Sequence, residues 1–441
     1  MSSRASSGSA LLACLASWCL ASVAFAQPPD AGVETAAGAE PALEPEPTPE
    51  EEDTSPPPPV EPEPPAPAPN QDGPAEAGDD DDDDEDDDHE PGFVIAPTGF
   101  IRTGYEYVLD DPRYDFVGDN SGFILGNARL GVRGAAPAYG ISFVITVDGA
   151  VAAHSLANTP QADLAVALRD ALIRWDFVDF LGVTVGQFKI PFMAGWMGAD
   201  GALPFASRAV GLDGVPVGRG FETPGIVVDR ELGLSVGSNG PVFVAGDFGL
   251  GYYATVFNGN GIDQLLNDNV APAVAGRLEL YWTRDVRVGG AVMWNARTVG
   301  SLPDRFEEQD LGVSADITAR FVGIELYGHF TMMTTSFVTT GAQDRMRLEV
   351  HGSAGYDLPF IDFPFVIAYR FAYYDPWQSG GGGGPVDLGA FELMYHTVGL
   401  RVEHPVDDIR LTGWLNYTFT VETDARSLLN DRLEVIVQLA F

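Results

Sequence analysis

From Phe93 to Phe441 the apolar positions of the chain recur with period two. In the last segment Leu433, Val435, Val437, Leu439 and Phe441 alternate with Arg432, Glu434, Ile436, Gln438 and Ala440, which puts five apolar side chains on one face of a strand. The same rhythm, with charge on the second face, sets Leu130 and Val132 against Arg129 and Arg133, and Ile173 and Trp175 against Asp170, Arg174 and Asp176. It sets Leu278, Leu280 and Trp282 against Arg277 and Glu279, and Leu348 and Val350 against Arg347, Glu349 and His351. Further on, Ile409, Leu411, Leu415, Tyr417 and Phe419 oppose Arg410, Thr412, Asn416 and Thr418. A soluble β-protein buries its apolar face against a second sheet, whereas a membrane barrel turns that face to lipid and the charged face to a wet lumen. Trp175, Trp282, Tyr373 and Tyr417, near strand ends, suit the aromatic girdles of a barrel.

Connection lengths decide between the two. Counted from Gly99, the pattern predicts sixteen strands whose links alternate in length: long at Asp110–Ser121, short at Ala135–Ala138, long at Asp148–Val166, short at Val178–Phe180. The alternation continues through a very long Phe192–Pro224, then Ser238–Asp247, Asn258–Ala273 and Thr283–Asp285, and on to the tight His404–Asp407 and the final Glu422–Asn430. Short turns on one side and longer loops on the other are the outer-membrane pattern. No run of about 20 apolar residues interrupts it, so a helical membrane protein is excluded. The expected fold is thus an all-β transmembrane antiparallel barrel of about sixteen strands over 93–441, with both termini in the periplasm. The terminal Phe441, on the apolar face, resembles the carboxy-terminal assembly signature of bacterial outer-membrane barrels.

The amino-terminal fifth reads differently. Arg4, the apolar run Ala10–Val23 and Ala24-Phe25-Ala26 form the three regions of a signal peptide, predicted over residues 1–26. Both cysteines, Cys14 and Cys19, lie inside it, so the exported chain has no thiol for a disulfide, nucleophile or metal site. Residues 27–92 are built of Pro, Ala, Glu and Asp, with 24 acids and no Lys or Arg. Too little apolar surface is present to offset the ordering entropy, and a disordered periplasmic tail is expected. This tail accounts for most of the formal charge of −40; from Phe93 onward the net is −17. The run Asp79–Asp88 lacks the alternating ligands and turn glycine of a calcium loop, so it reads as a solvated, self-repelling spacer.

Candidate chemistry is sparse. His89, His154, His329, His351, His396 and His404 show no metal spacing, there is no Gly-x-Ser-x-Gly elbow, and Gly380–Gly384 is not followed by the Lys-Ser or Lys-Thr of a phosphate loop. Neither an enzyme, a cofactor, a metal nor a nucleic-acid partner is expected. The charged strand face predicts a lumen lined by Arg129, Arg133, Asp170, Arg174, Asp176, Arg277, Glu279, Asp316, Glu325, Arg347, Glu349, Arg370, Arg410 and Glu434. Arg and Glu on neighbouring strands would equally pair and brace the wall.

Three motifs carry a family resemblance: Asn127-Ala128-Arg129-Leu130-Gly131-Val132-Arg133-Gly134, Val185-Gly186-Gln187-Phe188-Lys189-Ile190-Pro191-Phe192, and Val256-Phe257-Asn258-Gly259-Asn260-Gly261. In order and spacing they resemble the phosphate-selective porin O/P family. Phe205 and Arg208 sit where that family tends to have Phe-x-Glu-Arg, with Ser207 in place of the acid, and Arg230-Glu231-Leu232-Gly233 resembles its following strand. The resemblance implies a sixteen-stranded, trimeric outer-membrane pore passing small polar or ionic solutes, including anions such as phosphate. It also implies that the link after the fifth strand folds inward as a constriction, carrying Asp200, Arg208, Asp213, Arg219 and Glu222, opposite charges that would set a transverse field. Phosphate selectivity does not follow, because of 23 basic residues from Phe93 onward only Lys189 is lysine. A second reading is a barrel that anchors the acidic tail for contact with peptidoglycan, cations or a periplasmic partner.

Overall fold

In a computed structural model, residues 92–441 are described apart from 155–161, 301–304, 339–343, 360–362, 377–391, 423–426 and a few single positions. The predicted signal peptide, the acidic tail with its Asp79–Asp88 run, and Gly380–Gly384 lie outside the described residues.

Seventeen strands form one antiparallel sheet closed on itself. They are β1 (Val94–Val108), β2 (Gly122–Ala136), β3 (Ile141–His154), β4 (Ala162–Val178), β5 (Leu181–Lys189), β6 (Arg230–Gly237), β7 (Val242–Ala245), β8 (Phe248–Phe257) and β9 (Ala273–Trp282). Next come β10 (Val286–Val299), β11 (Phe306–Phe321), β12 (Ile324–Phe337), β13 (Arg345–Asp357), β14 (Phe365–Asp375), β15 (Leu393–Val406), β16 (Ile409–Glu422) and β17 (Arg432–Ala440). β6 and β7 are two pieces of one wall position, since both pair with β8, so the wall is a sixteen-strand barrel as the alternation predicted. Closure runs from Phe100↔Ala440 to Val108↔Arg432 between β1 and β17, which leaves no sheet edge. Among the described residues no helix is long and apolar enough to cross a membrane, and the strands make the wall.

Period two sorts the side chains. On β17, Val435, Val437 and Leu439 are 47%, 45% and 41% exposed on the outer face, while Arg432, Glu434 and Gln438 are buried within. β1 begins and β17 ends at the side of the short turns, which include 179–180, 283–285 and 322–323. At 322–323 both Val322 and Gly323 have positive φ (51° and 75°), as a two-residue hairpin with the primed twist requires. Segments 109–121, 190–229 and 258–272 start from the other end.

Three details depart from the sequence reading. β1 starts at Val94, not Gly99, and pairs with Ala135. The link expected over Asp148–Val166 shrinks to 155–161, because β3 and β4 continue past a register shift at Asp148. There the Asp148 carboxylate accepts the backbone N–H groups of Ala128 and Ala150, and that local bonding breaks the alternation. The lumen is also not uniformly wet. Ala275, Ala291, Met293, Met333, Ala372 and Tyr374 face inward and pack against Phe192, Met193, Val210, Leu212 and Ile226 of segment 190–229. Part of the barrel interior is therefore a dry core built between wall and inward segment.

Candidate functional site

Segment 190–229 enters the lumen and carries two single helical turns, Ala194–Met197 and Val210–Asp213. Its apolar residues occupy the dry side, so its charged residues are left to face β1, β2, β5, β6 and β17. Phe205 packs on Val366 and Ala368 of β14, and Ala206 on Trp414 of β16 and Ile436 of β17. Tyr374 donates to the Pro224 carbonyl at 2.6 Å and Trp196 Nε1 to the Ile226 carbonyl at 3.2 Å, which ties the return limb down.

Asp200 is the focus of the charged side. Its Oδ1 accepts from Lys189 Nζ at 2.8 Å and from Arg208, and its Oδ2 accepts from Arg230 at 3.1 Å and from Arg129. Arg102 of β1 donates to its backbone carbonyl. Burial pushes the Asp200 carboxyl up, but Lys189, Arg208, Arg230 and Arg129 outweigh it and hold the group well below the usual carboxylate range. Asp213 accepts the Arg208 backbone N–H at 3.0 Å; burial pushes its carboxyl above the ordinary value in spite of Arg208. Arg219 bonds Glu106 of β1 and approaches Glu434 to 3.9 Å. Glu222 is exposed and follows Phe221, whose ring meets Tyr114 and Phe116.

The residues expected to line the lumen fall into three groups. Arg129, Asp170, Arg370, Arg410 and Glu434 meet the inward segment or its partners: Asp170 takes Arg230 at 2.7 Å, Arg370 donates to the Ser207 carbonyl at 2.7 Å, and Arg410 donates to the Gly201 carbonyl at 3.2 Å. Arg277, Glu279, Asp316, Arg347 and Glu349 are in the wall. Arg277 links Glu279 at 2.8 Å to Asp316 at 2.7 Å, Arg347 stands 3.9 Å from Asp310, and Glu349 lies between His329 and His351. Arg133, Arg174, Asp176 and Glu325 sit toward the short-turn end, where Arg174 pairs with Asp176 and the exposed Glu325 with Arg320. The arginines are thus largely matched by carboxylates rather than forming a free basic track.

Several residues central to this network were not singled out from the alternation: Arg102, Glu106, Asp148, Asp229 and His329, the last of which meets Glu349 and His351 of the charged face. Lys189 and Arg230 did stand inside quoted motifs, a signal that they were more than strand residues.

Two cavities flank the inward segment. One of about 430 Å³ is bordered by Tyr281, Tyr327, His351 and Arg370 and reaches the turn residues Arg284 and Asp285. The other, about 330 Å³, lies against β1 and β2, bordered by Thr103, Asn127, Arg129 and Arg219. Leu203, Ser207 and Arg208 border both.

A closed sixteen-stranded wall, apolar outside, with a charged segment folded into the lumen after the fifth strand, is the architecture of a transmembrane β-barrel. Residues 101–220 match the family model of phosphate-selective porin O and P, the stretch that contains the first two motifs and the Phe205–Arg208 element. Among solved structures the chain resembles the outer membrane channel DcaP of Acinetobacter baumannii, at 14% identity over 79% of this chain and 98% of that one, with a TM-score of 0.50. It resembles Salmonella typhi OmpF, solved with daunomycin, at 12% identity over 79% and 98%, with a TM-score of 0.50. A further match is an anion-selective porin from Comamonas acidovorans, at 14% identity over 79% and 100%, with a TM-score of 0.48. At such identities the likeness speaks for the fold. No curated protein matches the chain.

Proposed function

We propose that the protein is an outer-membrane porin through which small polar and ionic solutes diffuse passively, assembled as a homotrimer with both termini in the periplasm. The observation that carries this reading is the pair of cavities on either side of the inward segment, which share Leu203, Ser207 and Arg208 as a common border inside a wall with an apolar exterior. Solute would pass from one cavity to the other at those three residues. The charged groups around them set a short-range field in a space where water is restricted. Because most cations there are paired with carboxylates, the pore is read as a general channel rather than a phosphate-binding one.

Reconstitution of the full-length protein into planar bilayers tests this. Discrete conductance steps that scale with salt concentration are expected; insertion of the folded barrel without any steps would remove the channel reading.

A further inference from the structure

Which residue fixes the ion preference of the passage follows from how its cations are partnered, and rests on the channel reading above. Arg102, Arg129, Arg169, Arg208 and Arg219 border the smaller cavity together with the carboxylates of Asp200, Asp213 and Glu434, and a passage so lined attracts anions unless its cations are matched. Three of the five have a carboxylate other than Asp200: Arg129 has Asp148 at 3.1 Å, Arg169 has Asp229 at 3.0 Å, and Arg219 has Glu106, while Arg102 donates to Gln438 and to the carbonyls of Asp200 and Ala206. Arg208 and Lys189 differ. Among the described residues the one carboxylate in ion-pair reach of either is Asp200. Their remaining polar contacts are to carbonyl oxygens, of Gly195 for Arg208 and of Gly198 for Lys189, and the Arg208 guanidinium also lies 4.6 Å from the centre of the Trp196 ring. Arg208 in turn borders both cavities, so its net charge is felt where the two meet.

We infer that Asp200 is the specificity-determining residue of this pore: its carboxylate is the fixed counter-ion that cancels Arg208 and Lys189 and so suppresses an anion preference that the rest of the lining would confer. The side chain acts by charge at the passage, not by holding solute. Loss of the charge with retention of shape, as in Asp200→Asn, leaves two cations unmatched beside the route while Arg129 and Arg230 keep Asp148, Asp170 and Asp229. The local field then becomes positive.

The test is the zero-current potential across a KCl gradient for the reconstituted full-length parent, Asp200→Asn, Arg208→Gln, and the double variant Asp200→Asn with Arg208→Gln. The single Asp200 change is expected to raise the anion-to-cation permeability ratio several-fold at unchanged or slightly altered conductance. The double variant is expected to return most of that shift, and Arg208→Gln alone to move the potential toward cations. If Asp200→Asn conducts with the parent's potential, or if the double variant keeps the whole shift, the assignment is overturned. A large rise in conductance with the same loss of preference in both Asp200 variants also overturns it, since Asp200 would then be a latch on the inward segment. Should Asp200→Asn fail to fold, Arg208→Gln decides: an unmoved potential sinks the inference. A parent that inserts without conducting overturns the channel reading itself, and this inference with it.

Discussion

Arg219, on the inward segment, grips Glu106 of β1 with two hydrogen bonds, Nε to Oε1 at 2.8 Å and NH2 to Oε2, across 113 residues of sequence. Opposite this ion pair, on the other side of the lumen, the same segment is held by apolar packing against β9, β10, β12 and β14. The segment is thus pinned by charge on one side and by a dry core on the other. Arg219→Glu would place a carboxylate beside Glu106 and Glu434 and free the charged side while leaving the dry side in place. Breaking a buried charge pair costs on the order of 3–5 kcal/mol, and the partial exposure of Arg219 puts this one at the lower end. The expected result is a higher and noisier single-channel conductance, with the exchange Arg219→Glu plus Glu106→Arg recovering part of the parental value.

The strand count and the outer face were legible in the sequence because each follows from period two and from link length, which are local quantities. Pairing was not. The alternation that placed Arg129 and Glu434 on the inner face says nothing of height or partner, and Arg129 meets Asp200 after 71 residues of separation while Arg102 meets Gln438 after 336. The dry part of the lumen was invisible for a related reason. Ala275, Ala291 and Ala372 are small enough to read as either face, and only the arrival of Phe192, Val210 and Leu212 makes them core.

Gly211 gives a direct test of docking on the dry side. A methyl group added there would lie 1.8 Å from Glu349 Cγ and 2.7 Å from its Cβ, positions that a buried side chain between two histidines has no room to vacate. Overpacking of this kind costs roughly 1–3 kcal/mol. Gly211→Ala should lower the temperature at which the detergent-solubilised barrel loses its heat-modifiable mobility and should raise open-channel noise. An unchanged transition with unchanged noise would show that the helical turn Val210–Asp213 is not seated on β13.

The wall closes between β1 and β17 using Val94–Ala440 alone. Deleting residues 27–90 from the chain is therefore expected to leave barrel folding, oligomer formation and conductance intact. Loss of the folded barrel in that variant would give the acidic segment a structural part that the strand pairing does not require.

Acid should reveal Asp213 and Asp200 with opposite signs. The Asp213 carboxyl is raised, chiefly by burial, so its favourable contribution is full below the ordinary value of about 3.9 and is lost as pH rises through the folded value; its ionised form costs the folded state. The Asp200 carboxyl is depressed by its four cations in spite of burial, so its contribution is full above about 3.9 and is lost only as pH falls through a folded value below that. On acidification the docked segment should first tighten as Asp213 takes up its proton, then loosen at the acid limit as Asp200 does. The measurement is the unfolding temperature of the solubilised barrel against pH for the parent, Asp213→Asn and Asp200→Asn. Asparagine at 213 can still accept the Arg208 backbone N–H, so that variant should lose the initial rise and keep the final fall. Asparagine at 200 should begin less stable at neutral pH and lose the final fall. Profiles for Asp213→Asn and the parent that run parallel from neutral pH to about 4 would mean that Asp213 stays solvated, and that the helical turn carrying it is not buried against the wall.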